Sequence, residues 1–359
     1  MSRSISVFIY ALVVLIFFST GCSSEIGPQN NRKPTAYSKI NELTVVADES
    51  LWEGMVGDTF RHYFSAPYLI LPSPESIFDL RYFTPRKIKE ERIFRSLRNY
   101  VILADLSDTT SLASKMVKAD IGHDKYIEAL SDSKINSSVG KDKWATGQRI
   151  FYLYSNSHKG LLETIKKGFP AVRNKLLEIE APRIRATAYQ GGDLEGLENK
   201  VFEKFGAKID LPKGYTTALE TPDFMWLRRE TKGVSSSLLL TKIPYKSEAQ
   251  LSDAGIRSAR DTLGKKYISS NAANSYMRTN DVDLPMFSKK TTLNSQFAVE
   301  THGIWEMEND FMGGPFVNLA IVNEEKGELF MVDGFIFAPG EKKRNHMQYL
   351  DAIVKTVQF

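Results

Sequence analysis

The stretch NYVILADL at residues 99–106 is apolar almost without interruption, and it constrains the fold more than any other part of the chain. A strand with one face in water alternates apolar and polar residues, whereas a strand covered on both faces does not. We therefore expect residues 99–106 to form a strand that is buried on both sides. The segments around it alternate strand-like and helix-like patterns, which is typical of an α/β lobe.

The second half of the chain has a different pattern, because several strand-like stretches follow one another. Three of them lie close together, at residues 295–308, 316–325 and 327–339. The short polar link between the last two favours a hairpin, and the chain then ends on an amphipathic helix. The sequence therefore predicts an α+β fold, with alternating strands and helices in the N-terminal half. The C-terminal half is predicted to be a mainly antiparallel sheet with helices on one face.

Glycine, proline and polar residues indicate where these elements end. Gly191 and Gly192 suggest a boundary between an α/β lobe at 42–188 and an α+β lobe at 189–359. A helical pattern begins at His158 and continues to about residue 186. Two prolines within it, at positions 170 and 182, are expected to divide this helix because proline cannot donate the backbone hydrogen bond. Residues 121–125 and 130–148 are predicted to be loops.

An apolar run near the start predicts export. Arg3 precedes residues 5–18, which form a 14-residue apolar run, and small residues follow as far as Gly21. A short basic start, an apolar core and a small-residue cleavage site are typical of a secretory signal peptide. The run is shorter than the roughly 20 residues that a membrane-spanning helix needs. We expect residues 1–21 to be a signal peptide that is cleaved after Gly21.

Cys22 is the only cysteine in the chain, and its position predicts lipidation. The small residues before it resemble the lipobox of bacterial lipoproteins, although Ser19 stands where that motif usually has leucine. The resemblance implies that Cys22 carries acyl chains such as palmitate, so that membrane lipid is its partner. Residues 22–41 are rich in Ser, Asn, Pro and Gly, which predicts a flexible tether. A soluble exported protein with an incidental cysteine is the alternative.

Composition and motifs argue against several classes of function. The net charge of +4 comes from 47 basic and 43 acidic residues, a balance that gives no support for nucleic-acid binding. A single cysteine excludes both an internal disulfide and a cysteine-rich metal site. The five histidines show no metal-ligand spacing, and no phosphate-binding loop or nucleophile elbow is present. We expect no metal and no cofactor, and we assign no catalytic residue.

Two neighbouring stretches form a candidate ligand cleft. His302 and Glu306 lie at even spacing on a predicted strand, so they share a face that could hold an acid/base pair. Gly313, Gly314 and Pro315 lie between two predicted strands, where their backbone allows a close approach to a ligand. As structural alternatives, His302 and Glu306 would form a polar sheet edge. Gly313, Gly314 and Pro315 would form a hairpin connection that requires unusual backbone angles.

Several stretches along the mature region carry a resemblance to one family. They are LTVVADESLWEGMVGD, KFGAKIDLPKGY, DFMWLRRET, RDTLGKKYI followed by SYM, and GIWEMENDFMGGPFVN. Taken in this order, the chain over residues 42–357 resembles uncharacterised Bacteroidetes-type lipoproteins that contain a domain of unknown function. The resemblance implies a lipid-anchored envelope protein, and it implies no activity, substrate or catalytic residue.

Two functions follow as hypotheses. The first is a non-enzymatic binding or assembly module, anchored in the cell membrane or outer membrane with its body in the periplasm or at the cell surface. Such a module could have another envelope protein as its partner. The second is an envelope hydrolase that acts on glycan or peptide through acidic residues. A deep pocket in which polar groups converge would favour the enzyme, whereas an apolar patch with a polar rim would favour the module.

Overall fold

The structure is a computed structural model that describes residues 32–134 and 136–359, and residues Thr35–Phe359 form one compact unit within it. The predicted signal peptide, its cleavage site at Gly21 and the lipidation site Cys22 lie outside the described residues. Within the described ranges, none of the helices combines the length and the apolar character that are needed to cross a bilayer.

The first sheet has five strands and is mostly parallel. Its strands are β1 (Glu42–Val46), β2 (Asp79–Phe83), β3 (Asn99–Asp105), β4 (Ser137–Lys141) and β5 (Arg149–Ser155). They lie in the order β2-β1-β3-β5-β4, and only β4 runs antiparallel to its neighbour. The central strand β3 is buried along its whole length, which confirms the prediction made for its apolar run.

Helices cover both faces of this sheet. They are α1 (Glu49–Trp52), α2 (Met55–Phe64), α3 (Pro85–Glu90), α4 (Leu112–Ile121), α5 (His123–Ser131) and α6 (His158–Ala188). Apolar residues of α1, α2 and α6 pack on one face, and those of α3, α4 and α5 pack on the other. A 3₁₀ helix at Arg92–Ser96 leads into β3. The lobe is therefore a three-layer α/β arrangement.

Two expected loops contain regular structure instead. Helix α5 begins at His123, inside the first loop that the sequence predicts, and β4 lies inside the second. Strand β4 is an edge strand whose residues alternate between exposed and half-buried, so its serines and glycine give little apolar signal. Local composition therefore hides both elements, which are stabilised by packing and by pairing with β5.

Helix α6 is continuous through both prolines that were expected to divide it. Pro170 and Pro182 are both exposed, and so are Lys166 and Glu178, the residues four positions earlier. The carbonyl groups that lose their helical partner therefore face water, which can hydrate them. The opposite face of α6 packs against the first sheet, and this burial offsets the cost of the prolines.

The second sheet has eight strands, and all of its pairs are antiparallel. The strands are β6 (Tyr215–Thr221), β7 (Phe224–Thr231), β8 (Val234–Pro244), β9 (Tyr276–Asn280), β10 (Phe287–Leu293), β11 (Gln296–Glu308), β12 (Gly313–Asn323) and β13 (Glu328–Phe337). Their order is β10-β11-β12-β13-β8-β7-β6, and β9 pairs with the far end of β11. Together with the first sheet this confirms the α+β fold.

Helices also cover both faces of the second sheet, whereas the sequence predicts them on one. They are α7 (Glu195–Phe205), α8 (Asp253–Tyr267) and α9 (Arg344–Val354). Apolar residues of α7 and α9 pack on one face, and α8 packs on the other with a 3₁₀ helix at Glu248–Leu251. Strands β12 and β13 are buried on both faces, so the sheet needs a cover on each side.

The start of the folded body lies within the predicted tether. Ala36 and Asn41 are buried, and the Ala36 amide donates to the carbonyl of Thr146 at 2.9 Å. The Arg98 guanidinium in turn donates to the Ala36 carbonyl at 2.6 Å. Residues 35–41 are thus part of the body, and any free tether ends at about residue 34. The polar composition of residues 35–41 concealed these backbone contacts from sequence analysis.

A buried ion pair fixes α8 on the second sheet. Arg260 and Asp333 are 2% and 1% exposed, and an Arg260 Nη2 donates to Asp333 Oδ1 at 3.0 Å. The same guanidinium donates to Thr279 Oγ1 at 2.8 Å and lies over the ring of Phe316. Asn318 Nδ2 donates to the other carboxylate oxygen of Asp333 at 3.0 Å. Both charges are therefore paired and hydrogen-bonded away from water.

We expect Asp333→Ala to lower the free energy of unfolding by about 3–5 kcal/mol, because it leaves the Arg260 charge buried without a partner. Asp281→Ala is the matched control, since it removes an exposed ion pair with Arg257 on the same helix and should cost at most about 1 kcal/mol. Urea denaturation of both variants measures the two costs. Similar costs for the two variants would contradict the anchoring role of the buried pair.

Candidate functional site

A groove of about 620 Å³ lies between the long helix of the first lobe and the edge of the second sheet. Its lining comes from α6, β10, β11, the region of α9 and the segment between α2 and β2. The lining residues are Tyr68, Leu69, Ile77, Arg173, Leu177, Ala181, Ile184, Phe287, Lys289, Glu300, His302, Gln348, Asp351, Ala352 and Lys355. We call this site the groove.

The periodicity of each element explains which side chains line the groove. On α6 the lining residues run from Arg173 to Ile184 at spacings of three and four, which places them on one face of the helix. On β10 they are Phe287 and Lys289, two residues apart, so both point to the same face of the strand. Strand pairing places Lys289 opposite Glu300, and Phe287 opposite His302.

Four charged side chains meet on the inner side of the groove, and we call them the Glu300 cluster: Glu300, His302, Asp351 and Lys355. His302 Nε2 lies 2.9 Å from Glu300 Oε1 and 3.8 Å from Asp351 Oδ1. Lys355 Nζ donates to the same Glu300 oxygen at 2.9 Å. The cluster therefore contains two carboxylates and two cationic groups, and its charges balance when His302 is protonated.

The cluster holds Glu300 ionised. Burial alone would raise the pKa of Glu300, but the hydrogen bond from His302 and the positive charge of Lys355 lower it to about 2. Burial alone would lower the pKa of His302, whereas its hydrogen bond to Glu300 and the charge of Asp351 raise that pKa above its usual value. The pKa of Lys355 is also raised, because the attraction of Asp351 and Glu300 outweighs the effect of burial.

The pKa of Asp351 is shifted in the opposite direction to that of Glu300. Burial raises its pKa above the usual value, and the nearby positive charges of His302 and Lys355 only partly oppose this effect. Tyr68 donates a long hydrogen bond to Asp351 Oδ2 at 3.5 Å. The other carboxylate oxygen, Oδ1, is buried and has no hydrogen-bond partner among the described residues. Asp351 is thus a carboxyl group with unused capacity to accept a hydrogen bond.

The Glu300 cluster contains side chains of the kinds that bind metal ions. Glu300, His302 and Asp351 each offer one ligand atom, and these atoms lie within 4.8 Å of one another. One imidazole and two carboxylates are ligands that zinc or manganese accepts. However, the ammonium group of Lys355 already supplies a positive charge at Glu300. A metal ion would have to displace it, so the arrangement fits an ionic network better than a metal centre.

Of the residues predicted for a ligand cleft, only His302 lines the groove. Glu306 lies on the same strand, four residues further along, where it is opposite Arg278 of β9. There its Oε1 pairs with Arg278 Nη2 at 2.6 Å, and its Oε2 accepts from Asn280 Nδ2 at 2.7 Å. Glu306 therefore has a structural role at the junction of β9 and β11, and the structure does not bring it together with His302.

The other three predicted cleft residues also lie outside the groove lining. Gly313, Gly314 and Pro315 are the first residues of β12, and the connection before them is residues 309–312. A Cβ atom on Gly314 would lie 2.0 Å from the Ile336 carbonyl oxygen, so glycine is needed for contact with β13. The close approach predicted for this stretch occurs, but against the protein's own backbone.

Sequence analysis missed Glu300, Asp351 and Lys355. A signal for Glu300 was present, because it lies two residues from His302 and so shares the same strand face. Asp351 and Lys355 also carried a signal, since they are four residues apart, in the last turn of the terminal helix and directly after its end. Nothing local indicates that this helix meets β11, because about 50 residues separate the two carboxylates.

Solved structures resemble this chain only weakly. The yeast Ran-binding protein Mog1p from Saccharomyces cerevisiae is similar over 43% of this chain and 91% of its own, with 9% identity and a TM-score of 0.27. The lipid transfer and protein localization domain of human StarD13 covers 45% of this chain and 95% of its own, with 12% identity and a TM-score of 0.21. Scores this low support no conclusion about fold or function. No curated protein matches the sequence.

Two family models match, and each covers one lobe. Residues 36–188 match the model described as Domain of unknown function (DUF8532), and residues 195–356 match the one described as Domain of unknown function (DUF4837). The first match contains the parallel sheet with its helices, and the second contains the antiparallel sheet as far as α9. Each match covers less than half of the chain, so the N-terminal lobe is similar to one domain family of unknown function and the C-terminal lobe to another.

Proposed function

We propose that this chain is a lipid-anchored protein of the cell envelope whose folded body binds a small ligand in the groove. The groove carries the proposal. Its volume of about 620 Å³ lies within the range of roughly 300–1,000 Å³ that ligand sites occupy. It also combines apolar walls with a few converging polar groups, which is the usual composition of such sites.

The lining supports ligand binding over a purely structural groove. Leu177, Ile184 and Phe287 offer apolar contact along its length. On the inner side, Asp351 Oδ1 has no hydrogen-bond partner among the described residues, and leaving a buried acceptor unpaired costs about 1–3 kcal/mol. That oxygen is enclosed by the protein, so ligand binding is supported by the apolar walls and the charged cluster beside them.

The anchor is supported by the sequence of the first 22 residues. A short basic start, a 14-residue apolar run and the small residues ahead of Cys22 are together typical of lipoprotein export. Several acyl chains on one residue give a stable membrane attachment, because each buried methylene contributes about 0.8 kcal/mol. On this proposal membrane lipid is a partner, and the ligand comes from the periplasm or the cell surface.

A hydrolase acting on glycan or peptide is the second candidate, and one observation favours it. The ligand atoms of Glu300 and Asp351 lie within 4.8 Å of each other, yet their pKa values are shifted in opposite directions. Two close carboxyl groups with different proton affinities are the usual arrangement for acid and base roles. Retaining glycosidases separate theirs by roughly 5 Å. In this reading Asp351 would donate a proton and Glu300 would act in its ionised form.

The anchor is tested by Cys22→Ala. We expect the wild-type protein to partition into the detergent phase of a cloud-point extraction and to incorporate radiolabelled palmitate, because its acyl chains favour an apolar phase. The variant should lose the label and move to the aqueous phase. Ser23→Ala is the matched control and should behave as wild type. Membrane association that persists in the Cys22 variant would rule out this anchor.

Ligand binding is tested with the amphiphilic dye anilinonaphthalene sulfonate, whose fluorescence increases in an apolar site. Ala181→Trp fills the groove, and we expect it to weaken dye binding by roughly tenfold, a loss of about 1.4 kcal/mol. Ala186→Trp is the control, since it adds the same side chain to an exposed position of α6 outside the groove lining. Equal dye affinity in the two variants would show that the groove is not a binding site.

A hydrolase would need Glu300 ionised and Asp351 protonated. The pH dependence of the free energy of unfolding tests both charge states. The folded-state pKa of Glu300 is about 2 against an ordinary 4.5, so its carboxylate stabilises the fold at neutral pH. Glu300→Gln should lower the unfolding free energy at pH 7 by on the order of 3 kcal/mol. The difference should shrink as the pH falls from about 4.5 towards 2, where the wild-type carboxylate becomes protonated.

We expect Asp351→Asn to raise the free energy of unfolding at pH 7, which is the opposite effect to that of Glu300→Gln. The pKa of Asp351 is raised by burial, so its carboxylate destabilises the fold above the ordinary value of 3.8. The variant should therefore be more stable than wild type at pH 7, and the difference should vanish below the ordinary value. Urea titrations across this range measure both effects. Destabilisation at pH 7 by both substitutions would contradict the opposite charge states.

A further inference from the structure

We propose that the ligand of the groove is an extended peptide that pairs with the free edge of β10 and ends in a carboxylate held by Lys289 and Arg173. This inference rests on the proposed function, because it names the ligand class of the same groove. Two independent features of the groove carry it: a free strand edge and two cationic side chains without acidic partners.

Strand β10 is an edge of the eight-stranded sheet. It pairs with β11 through residues Phe287–Leu293, and it is the terminal strand of the sheet order. Across the described part of the chain, no backbone hydrogen bond joins β10 to any other element. A free edge presents unpaired amide and carbonyl groups, and an extended peptide can add to it as a further strand. Such pairing gives affinity through backbone bonds alone.

The groove lies beside this edge and runs along α6. Phe287 on β10 is 48% exposed, and Leu69 at the other wall is 55% exposed. Leu177 and Ile184 on α6 complete an apolar surface that faces the strand. In an added strand, alternate side chains point to the same face. An apolar side chain of the peptide would therefore enter the groove while its backbone pairs with β10.

Two cationic side chains favour a carboxylate on that peptide. Lys289 is exposed, and within the described residues it has no ion pair or hydrogen bond. Arg173 donates to the amide oxygen of Asn174 at 3.2 Å and to no carboxylate among those residues. Both line the groove, one from the sheet and one from the helix. The third cation, Lys355, is already paired with Glu300.

Lysine on an edge strand also has a simpler role, since charge there discourages unwanted strand pairing. Lys289 and Lys290 are both exposed on β10, and either would serve that purpose. Only Lys289 lines the groove, because adjacent residues of a strand point to opposite faces. The two lysines therefore separate the two explanations, and Lys290 is the matched control for the binding role.

The free edge of β10 distinguishes a peptide from an acyl chain. A peptide offers amide N–H groups at regular spacing, and these can donate to the unpaired carbonyl groups of the strand. A fatty acid has a carboxylate for the lysine but no donor along its chain.

The test is fluorescence anisotropy with a fluorescein-labelled hexapeptide, five alanines followed by leucine, with a free C-terminal carboxylate. We expect the C-terminal amide of the same peptide to bind roughly tenfold more weakly, since it loses a charge-assisted bond. N-methylation of alternate alanines should weaken binding by a similar factor, because it removes the donors needed for strand pairing. Neither measurement changes the protein, so neither depends on a variant that folds.

Protein variants complete the test. Lys289→Ala and Arg173→Ala should each weaken binding of the free-carboxylate peptide by about fivefold to tenfold and leave binding of the amide unchanged. Lys290→Ala should leave both affinities at the wild-type value. Equal affinity for acid and amide, equal effects at positions 289 and 290, or insensitivity to N-methylation would each overturn the proposal.

Failure of this inference is distinguishable from failure of the proposed function. If the dye binds in the groove but the hexapeptide does not, ligand binding stands and the peptide inference is wrong. If dodecanoate displaces the dye and the hexapeptide does not, the ligand is an acyl chain and the peptide inference is again wrong. If neither dye nor peptide binds, the proposed ligand-binding function fails and the inference fails with it.

Discussion

The structure depends on one helix that is buried on two sides. Leu350, Ile353 and Val354 of α9 pack in the core of the second sheet. Its other side faces the first lobe, where Gln348 Oε1 accepts from Asn41 Nδ2 at 2.7 Å, and Arg344 Nη2 pairs with Asp79 at 2.7 Å. Apolar burial on one side and oriented polar contacts on the other hold the two sheets in one unit. The same helix brings Asp351 and Lys355 to the groove, so the site and the junction between the lobes share their support.

The Glu300 cluster shows how environment gives two carboxyl groups different properties. Glu300 receives hydrogen bonds from His302 and Lys355, and these more than offset its desolvation. Asp351 is on a neighbouring element and receives only a long hydrogen bond from Tyr68, so burial dominates its titration. The difference comes from donor placement rather than from residue type.

Much of the fold was predictable from local patterns, and most of the site was not. The apolar run of β3 and the successive strand-like stretches of β12 and β13 are visible in the sequence, so the α+β class follows from them. The continuity of α6 did not follow, because whether a proline breaks a helix depends on which face meets water. His302 was recognised as a groove residue, but its partner lies on the N-terminal side, at Glu300, rather than at Glu306. Contacts between β11 and α9 join residues far apart in sequence, and no local pattern encodes them.

The docked segment at residues 35–41 has a consequence for the reach of the molecule. If Cys22 is held in the bilayer, thirteen peptide steps separate it from Thr35, the first residue of the compact unit. Those thirteen peptide steps span at most about 45 Å when fully extended. The body would then be kept within that distance of the membrane surface. Its accessible volume would be a thin layer above the lipid, and the local concentration of any membrane-associated ligand would be correspondingly high.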